Sequence, residues 1–547
     1  MEDNYLWWRD GIIYQIYPRS FYDSNQDGLG DLAGIIQQLD YLADLGIDAI
    51  WLSPIYPSPD KDFGYDIADH CAIDPRFGTM QDFERLVNEA HSCNLRVILD
   101  LVLNHTSDQH PWFQESRQNR NNPKADWYLW QDRIPNNWQS VFGGRAWTFD
   151  AQRSQFYYHM FLAQQPDVNW RNPQVRQAQL DVARFWLDRG VDGFRLDVFN
   201  VYFKDEQLRS NPTAWGLRAF DRQKHIYDTD QPEMIPLLQE LRSILDSYPQ
   251  RYAVGETFLG TSEKIAQYCG KDRLHAAFDF NFLECAARPR CWLKAIQNWE
   301  NLWQKYQIWP TYVLSNHDNP RTATRYTNGE DDRLLKVLMM LLLTLRGTPF
   351  LYYGEEIGMR DVPLKRKEIL DPPGKKYWPI YKGRDGCRAP MQWTDAPYGG
   401  FSHVKPWLPV HPDYPQRNVQ QQLQDRDSLL HFTKRLIQTR RENAALQHGE
   451  FELITPQTKP ILSYLRWMGD EKFLIVLNFS PQSQTFTLPA NFSTADWELI
   501  LSTHIQRGSL SKEKGLSVSP YEASLWKVHD INILSTVLRL DGHRSIS

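Results

Sequence analysis

Cysteine is scarce in these 547 residues: six, at positions 71, 93, 269, 285, 291 and 387. None falls at C-x-x-C spacing, and six over this length are too few for a disulfide framework, so they read as reduced, packed thiols. Long apolar runs are missing too, since no window reaches the roughly 18 unbroken apolar residues of a membrane span. The opening MEDNYLWWRDG is acidic and lacks the basic, apolar and small-residue blocks of a signal peptide. These absences predict a soluble, cytoplasmic protein in which three N-x-[ST] sequons, among them Asn104-His105-Thr106, stand idle. There is no basic excess: the net charge is −6, with no block of like charge. That argues against nucleic acid or an anionic membrane as partner. P-loop, G-x-S-x-G and H-E-x-x-H motifs are absent, and a neutral or small polar ligand fits better.

What is present is length and pattern. The chain exceeds what one hydrophobic core usually organises, although an α/β barrel can take up about 250 residues alone. Eight short β-branched or aromatic runs recur, most of them separated by helical periodicity: GIIYQIYP, DAIWLSP, RVILDLVLNH, VDGFRLDV, RYAVGETF, LHAAFDFNF, WPTYVLSNHD and TPFLYYGEEIG. They predict a closed parallel (β/α)8 TIM barrel over residues 1–105 and 176–447. The segment DLAGIIQQLDYLADLG reads as one helix with Leu32, Ile35, Ile36, Leu39 and Leu42 on its buried face and Gly46 as its stop. Residues 106–175 are too long for a connection and predict a small inserted domain, and 199–248 a long loop carrying a helix. From 448 to 547 the alternation FELI, ILSYLRWM, EKFLIVLNFS, QTFTLPA, WELILST and YEASLWKV predicts an antiparallel C-terminal β-domain, a sandwich, ending in a frayed tail.

Charged residues collect at the C-terminal ends of these strands, the face where barrel enzymes build active sites. Arg195 and Asp197 are two apart in GFRLDV, so the strand's period aims both into the barrel. A guanidinium beside Asp197 is expected to keep that carboxylate ionised and able to attack. Glu256 ends the apolar YAVGE, where burial is expected to raise its pKa toward that of a proton donor. Asp318 ends the seventh strand and would add negative charge near a developing oxocarbenium ion. Two carboxyl groups tuned in opposite directions are what glycoside hydrolysis needs. Structural ion pairing is the alternative for any one of them, and three matching strand ends weigh against it.

In family order and spacing, DLVLNH, GFRLDV, VGET and SNHDNPR resemble the α-amylase superfamily of glycoside hydrolases, and QPDVNW is similar to the segment that marks its oligo-1,6-glucosidase and α-glucosidase branch. The resemblance implies Asp197 as nucleophile, Glu256 as acid and then base, and Asp318 as transition-state stabiliser. His105 and His317 would bind sugar hydroxyls, and Arg195 would hold Asp197. From FGYDIADH and GCRAPMQW it implies that Asp66 and Arg388 meet at the closed end of the pocket and bind the terminal glucose, which means exo-action on short oligosaccharides; a buried structural pair is the alternative. Val198, following the nucleophile, leans toward α-1,6 linkages. The departure of VFNVYFKDEQLRSNP from the branch's usual forms leaves the acceptor side open.

DSNQDGLGD sets Asp23, Asn25, Asp27 and Asp31 around Gly28, an oxygen-donor pattern suited to Ca²⁺, although Gly34 stands where an EF-hand carries its glutamate. The stretch resembles the branch's calcium loop, with the Leu29 carbonyl as a further ligand, and a hydrated turn without metal is the alternative. GLGDLA in the same stretch is no dinucleotide fingerprint, because Asp27 and Asp31 would repel a pyrophosphate. His105, Asp108 and His110 match no catalytic zinc spacing. Two other readings remain beside hydrolysis: a transglycosylase or isomerase of trehalose or sucrose type using the same carboxylates, and an inactive sugar-binding or transporter-associated homologue.

Overall fold

A computed structural model describes residues 5–286, 288–327, 331–454, 460–487, 497–504 and 516–529. The eight predicted strands form one parallel sheet: β1 (Ile13–Ile16), β2 (Ala49–Leu52), β3 (Arg96–Leu101), β4 (Gly193–Leu196), β5 (Tyr252–Glu256), β6 (Ala276–Phe278), β7 (Thr311–Val313) and β8 (Thr348–Tyr352). The backbone ladder runs β7-β8-β1-β2-β3-β4-β5-β6, so the cylinder is continuous except at the β6/β7 joint. There the Thr311 hydroxyl donates to the Ala277 carbonyl at 2.9 Å.

The strand period sorts the core. Ile13, Trp51, Ile98, Val254, Phe278, Val313 and Phe350 pack together inside the cylinder. Their neighbours Tyr14, Ile50, Leu99, Ala253, Ala277, Tyr312 and Leu351 join the layer between strands and helices. Phe194 and Leu196 belong to that outer layer, so Arg195 between them points inward.

The helix Met80–Ser92 shows why the outer elements form. Thr79 accepts from the Asp82 amide while the Asp82 carboxylate accepts from the Thr79 amide, and Phe83, Leu86, Val87 and Ala90 make one buried face. The single helix expected over 32–45 is instead two, Leu32–Gln37 and Leu39–Leu45. They break at Gln38 (φ −109°, ψ 7°), whose amide turns back to the Ile35 carbonyl. Gly46 ends the second in the left-handed region, φ 90°.

Between β3 and β4 the chain makes a three-stranded antiparallel sheet of Trp130–Gln131, Trp147–Asp150 and Gln155–Tyr158. Its Trp138, Trp147 and Tyr158 pack with Val198, Val201 and Phe220 from the loop after β4. That loop carries the expected helix, Met234–Asp246. Past residue 449 a five-stranded antiparallel sheet follows, accompanied by the pair Gln484–Phe486 and Leu516–Val518. Trp526, in the strand Ala523–Val528, is central to its core. The tail expected to fray lies outside the described residues.

One buried arginine, Arg466, pins the C-terminal sheet to the barrel, and a second, Arg440 of the helix Leu429–Glu442, braces the barrel segment beneath it. Arg466 donates to the carbonyls of Thr344 (2.6 Å) and Leu446 (3.0 Å), and Arg440 to those of Leu343 (3.0 Å) and Gly347 (2.7 Å). The helix Arg333–Thr344 between them is buried on nearly all sides, which its sequence RLLKVLMMLLLT requires.

Candidate active site

Arg195 organises the centre. It is buried over the ring of Trp51 (5.3 Å), and its β4 register places it opposite Asp100 of β3. Nη1 donates to Asp100 at 2.5 Å and to Asp197 at 2.8 Å, and Nη2 to Glu256. One guanidinium fork therefore holds the carboxyls of both Asp197 and Glu256, and the two carboxyls also meet in a side-chain hydrogen bond. Burying a cation here is tolerated because three carboxylates surround it.

Burial raises the pKa of Asp197 well above the usual carboxylate range. The opposing pull of Arg195 is outweighed when the nearby charges of Glu256, Asp100 and Asp318 are added. The expectation that Arg195 alone would keep Asp197 low is thereby corrected. Burial also raises Glu256, again against Arg195. Two adjacent acids that both resist ionisation titrate as a pair and hold a proton between them.

Asp318 is tuned the other way. Burial alone would raise it, but His317 (Nε2, 3.3 Å from Oδ2), then Arg384 (Nη1, 3.2 Å) and Arg388 (Nη2, 2.7 Å), which both donate to Oδ1, hold it well below the usual range. His317 lies behind it, stacked on Tyr65 (5.4 Å between ring centres) and in contact with the Tyr65 hydroxyl at 2.6 Å and with Gln15 at 2.7 Å. Burial lowers its pKa to about 3, so the ring is neutral.

Asp197, Glu256, Asp318, His105, Asp62 and Arg384 all line one cavity of about 1000 Å³. Arg195, His317, Asp66 and Arg388 are not among the residues that line it. The expected meeting of Asp66 with Arg388 does not occur. Asp66 is fully buried, accepting from the Ser58 hydroxyl and the amides of Lys61 and Asp62 at 2.8–2.9 Å, and burial pushes its pKa up to about 6. Arg388 donates to the His317 carbonyl (2.7 Å) and Asp318. The pair that faces the cavity is Asp62 and Arg384, at 2.7 Å, with Asp371 also bound to Arg384 at 2.7 Å and the Gln165 amide donating to Asp62 at 3.1 Å. Sequence reasoning missed Asp62, Arg384, Gln165 and Asp100. The signals available were Gln165 at the head of QPDVNW and the first arginine in GRDGCR.

His105 packs on Phe161 (5.4 Å) and shares Gln165 with Asp62. Val198, lining the cavity one residue after Asp197, sits in the left-handed region (φ 35°, ψ 41°), an uncommon conformation for a β-branched residue.

The predicted metal loop is closed by its own hydrogen bonds. Asp23 accepts from the amides of Gln26 (2.7 Å) and Gly28 (2.8 Å) and from the Ser402 hydroxyl at 2.5 Å. Asp31 caps the helix that begins at Leu32, accepting from the Gly34 amide (2.6 Å) and from Ser24. Asp27 accepts from the Leu29 amide (2.8 Å) and from Asn25 (3.2 Å). The donor set is all oxygen, which fits a hard cation in kind. Among the described residues, however, no three His, Cys, Asp or Glu side chains converge closely enough to hold a metal.

Residues 15–449 match the family described as Alpha amylase, catalytic domain, and residues 451–524 match Maltogenic Amylase, C-terminal domain. The chain is 44% identical to a probable alpha-glucosidase of Rhizobium meliloti over 512 residues, 89% of this chain and 92% of that one. It is 38% identical to an oligo-1,6-glucosidase of Parageobacillus thermoglucosidasius, covering 96% and 99% of the two chains. The crystal structure of XgtA, an alpha-glucosyl transfer enzyme, superposes with a TM-score of 0.89 at 41% identity over 96% of this chain and all of that one.

Proposed function

The chain belongs to the α-amylase family of glycoside hydrolases, and on that premise we propose that it is a retaining, exo-acting α-glucosidase that releases terminal α-linked glucose from short oligosaccharides, with a leaning to α-1,6 linkages. The observation that carries the reading is the single Arg195 fork holding Asp197 and Glu256 at the wall of a cavity that also contains Asp318. Adjacent carboxyls suit direct attack and a covalent intermediate, whereas inverting enzymes keep theirs about 6.5–9.5 Å apart to admit water.

The steps follow from the shared proton. Glu256 gives it to the glycosidic oxygen as Asp197 attacks the anomeric carbon, and the sugar is left as an ester on Asp197. Glu256, now ionised, takes a proton from water, which breaks the ester and restores the anomeric configuration. Asp318, held ionised by Arg384 and Arg388, stabilises positive charge on the ring as each transition state forms. The Asp62–Arg384 pair ties the loop after β2 to the loop after β8 beside Asp318 and would stop the substrate at its non-reducing glucose. Val198 supports the α-1,6 leaning, which one pocket side chain can shift by about 1–3 kcal/mol. Likeness to a glucosyl transfer enzyme favours one second reading, in which a sugar or alcohol replaces water at the intermediate.

The test is a product analysis on isomaltose and maltose with the first-released anomer followed by NMR, beside Asp197→Asn. α-Glucose from the parent and a loss of about 10³-fold or more in kcat for the variant are expected. β-Glucose, or an unimpaired variant, would overturn the reading.

Calcium belongs to the proposal as a structural ion. Asp23, Asn25, Asp27, Asp31 and the Leu29 carbonyl would hold it only after the aspartates turn away from the amide and hydroxyl donors that occupy them here, and it would brace the loop without entering the chemistry. Millimolar Ca²⁺ added to chelator-treated protein should raise Tm by a few degrees, and no shift would remove the ion from the account. A cytoplasmic location is supported by six free thiols among the described residues, and no described helix is long and apolar enough to cross a membrane.

A further inference from the structure

Where the ladder between β4 and β5 stops, the residues of the chemistry begin. Its last pair is Leu196 with Gly255, so strand pairing sets the register only up to the residue before Asp197 and the residue before Glu256. Beyond that point a side chain takes over from the backbone. Asn200 is fully buried in the short helix Phe199–Val201, which opens at the left-handed Val198. It accepts from the Phe258 amide at 2.8 Å and donates to the Phe258 carbonyl at 2.8 Å. A side-chain amide thus offers Phe258, two residues past Glu256, the donor and acceptor that a neighbouring strand would offer.

The residue before Asn200 holds the other side of Glu256. The Phe199 ring lies against the bare backbone of Gly255, where a Cβ would stand 2.4 Å from its Cε1. Asn200 is itself anchored. Its Nδ2 donates to Asp230 at 2.9 Å, and the Asp230 amide donates to the Asn200 carbonyl at 2.7 Å. Asp230 is paired with Lys264 and accepts from the Tyr268 hydroxyl at 2.9 Å. Tyr268 closes the circuit, edge-on to Phe199 with 5.1 Å between ring centres. The Thr257 hydroxyl, between Glu256 and Phe258, has no partner among the described residues, so it does not brace this turn.

We propose, resting on the glucosidase reading above, that Asn200 is a positioning residue for proton transfer: through Phe258 it fixes where the Glu256 carboxyl stands relative to Asp197. Arg195 binds both carboxyls by charge, but it does not set how far the main chain carries Glu256 toward the glycosidic oxygen. The Asn200 clamp does, from the same loop that carries the nucleophile, so acid and nucleophile keep one spacing.

The experiment separates proton transfer from the rest by the leaving group. From isomaltose the sugar leaves as an alkoxide that must be protonated as the bond breaks, whereas p-nitrophenyl α-glucoside releases a stabilised phenolate that hardly needs the acid. The ratio kcat/KM covers the steps up to the ester on Asp197, so the later work of Glu256 as base does not enter it. Asn200→Ala should lower kcat/KM about 10²-fold on isomaltose and less than about fivefold on the nitrophenyl glucoside, the cost of an acid misplaced by about 1 Å. Asn200→Asp keeps the volume and the acceptor for the Phe258 amide but loses the donor to its carbonyl. It should show the same split, and it carries the test if the alanine variant does not fold. A clamp that serves the fold alone would lower Tm and scale both substrates by one factor. That result, or no loss on either substrate, would overturn the assignment and leave the glucosidase reading standing. A parent protein that releases glucose from neither substrate would overturn both.

Discussion

Two aspartates four residues apart, Asp62 and Asp66, have different fates because of the turn between them. Phe63 (φ 50°) and Gly64 (φ 102°) are both left-handed, which turns Asp62 toward the cavity and leaves Asp66 as an acceptor for the amides of its own loop. Asp62→Asn should therefore raise KM for isomaltose by about ten- to a hundredfold, since it removes a charged partner of both Arg384 and the sugar. Asp66→Asn should lower Tm and leave KM near the parent's. Steady-state kinetics beside calorimetry separate the two, and the reverse pattern would restore the pairing expected from sequence. Arg384→Lys tests the same corner from the other side. A lysine cannot fork onto Asp62, Asp371 and Asp318 together, so a loss of about 10²-fold in kcat/KM is expected. Asp197 and Glu256 were legible in the sequence because each closes a strand whose direction its own alternation fixes, and Asp318, in the turn beyond β7, was legible from its place in SNHDNPR. Asp62 and Arg384 were not, since which of several nearby charges faces the cavity depends on left-handed turns and on packing against distant loops. Likewise the tuning of Asp197 could not be read from Arg195 alone, because Asp100, which shares that guanidinium, arrives from another strand.

The short helix after β8, Glu355–Ile357, carries two buried acids that the proposed chemistry does not use. Glu356 accepts from the hydroxyls of Tyr14 (2.9 Å) and Tyr41 (2.8 Å) with no cation bound to it, and burial pushes its carboxyl up to about 7. An unfolded chain loses this proton near pH 4.5 and the folded one near pH 7. Between those values the unfolded state binds fewer protons, so stability falls as pH rises through that window and levels off above it. Glu356→Gln keeps the acceptor oxygen without the charge. It should raise Tm at pH 8, by the equivalent of at most about 3 kcal/mol, and change little at pH 4.5. A gain of equal size at both pH values, read by calorimetry, would mean that charge is not the cause. The elements themselves were largely readable, with all eight barrel strands falling inside the predicted runs. The helix over 32–45 was not read correctly, because apolar spacing continues across Gln38 while the backbone does not.

Across the whole molecule, the C-terminal sheet is held to the barrel by a cation, Arg466, that satisfies main-chain carbonyls. Arg466 is fully buried, and its pKa is lowered to about 9 by burial, with Arg440 and Arg346 adding to the effect. Replacing it by methionine would keep the volume and orphan the carbonyls of Thr344 and Leu446. A loss of roughly 3 kcal/mol is expected, seen as a lower denaturant midpoint. Retained stability in Arg466→Met would show that apolar packing alone joins the two parts. The two-part organisation was visible in the change from helical to alternating pattern near residue 448. The arginine pin was not, because a lone arginine in ILSYLRWM gives no sign of the carbonyls it will meet.

The β6/β7 joint, where one threonine hydroxyl replaces a backbone ladder, divides the catalytic groups. Glu256 sits on one flank and Asp318 on the other, so thermal breathing that loosens this seam widens the acid-to-stabiliser gap first. Warming should then silence turnover before the fold melts, a premature loss of function written into a single unlaced stave.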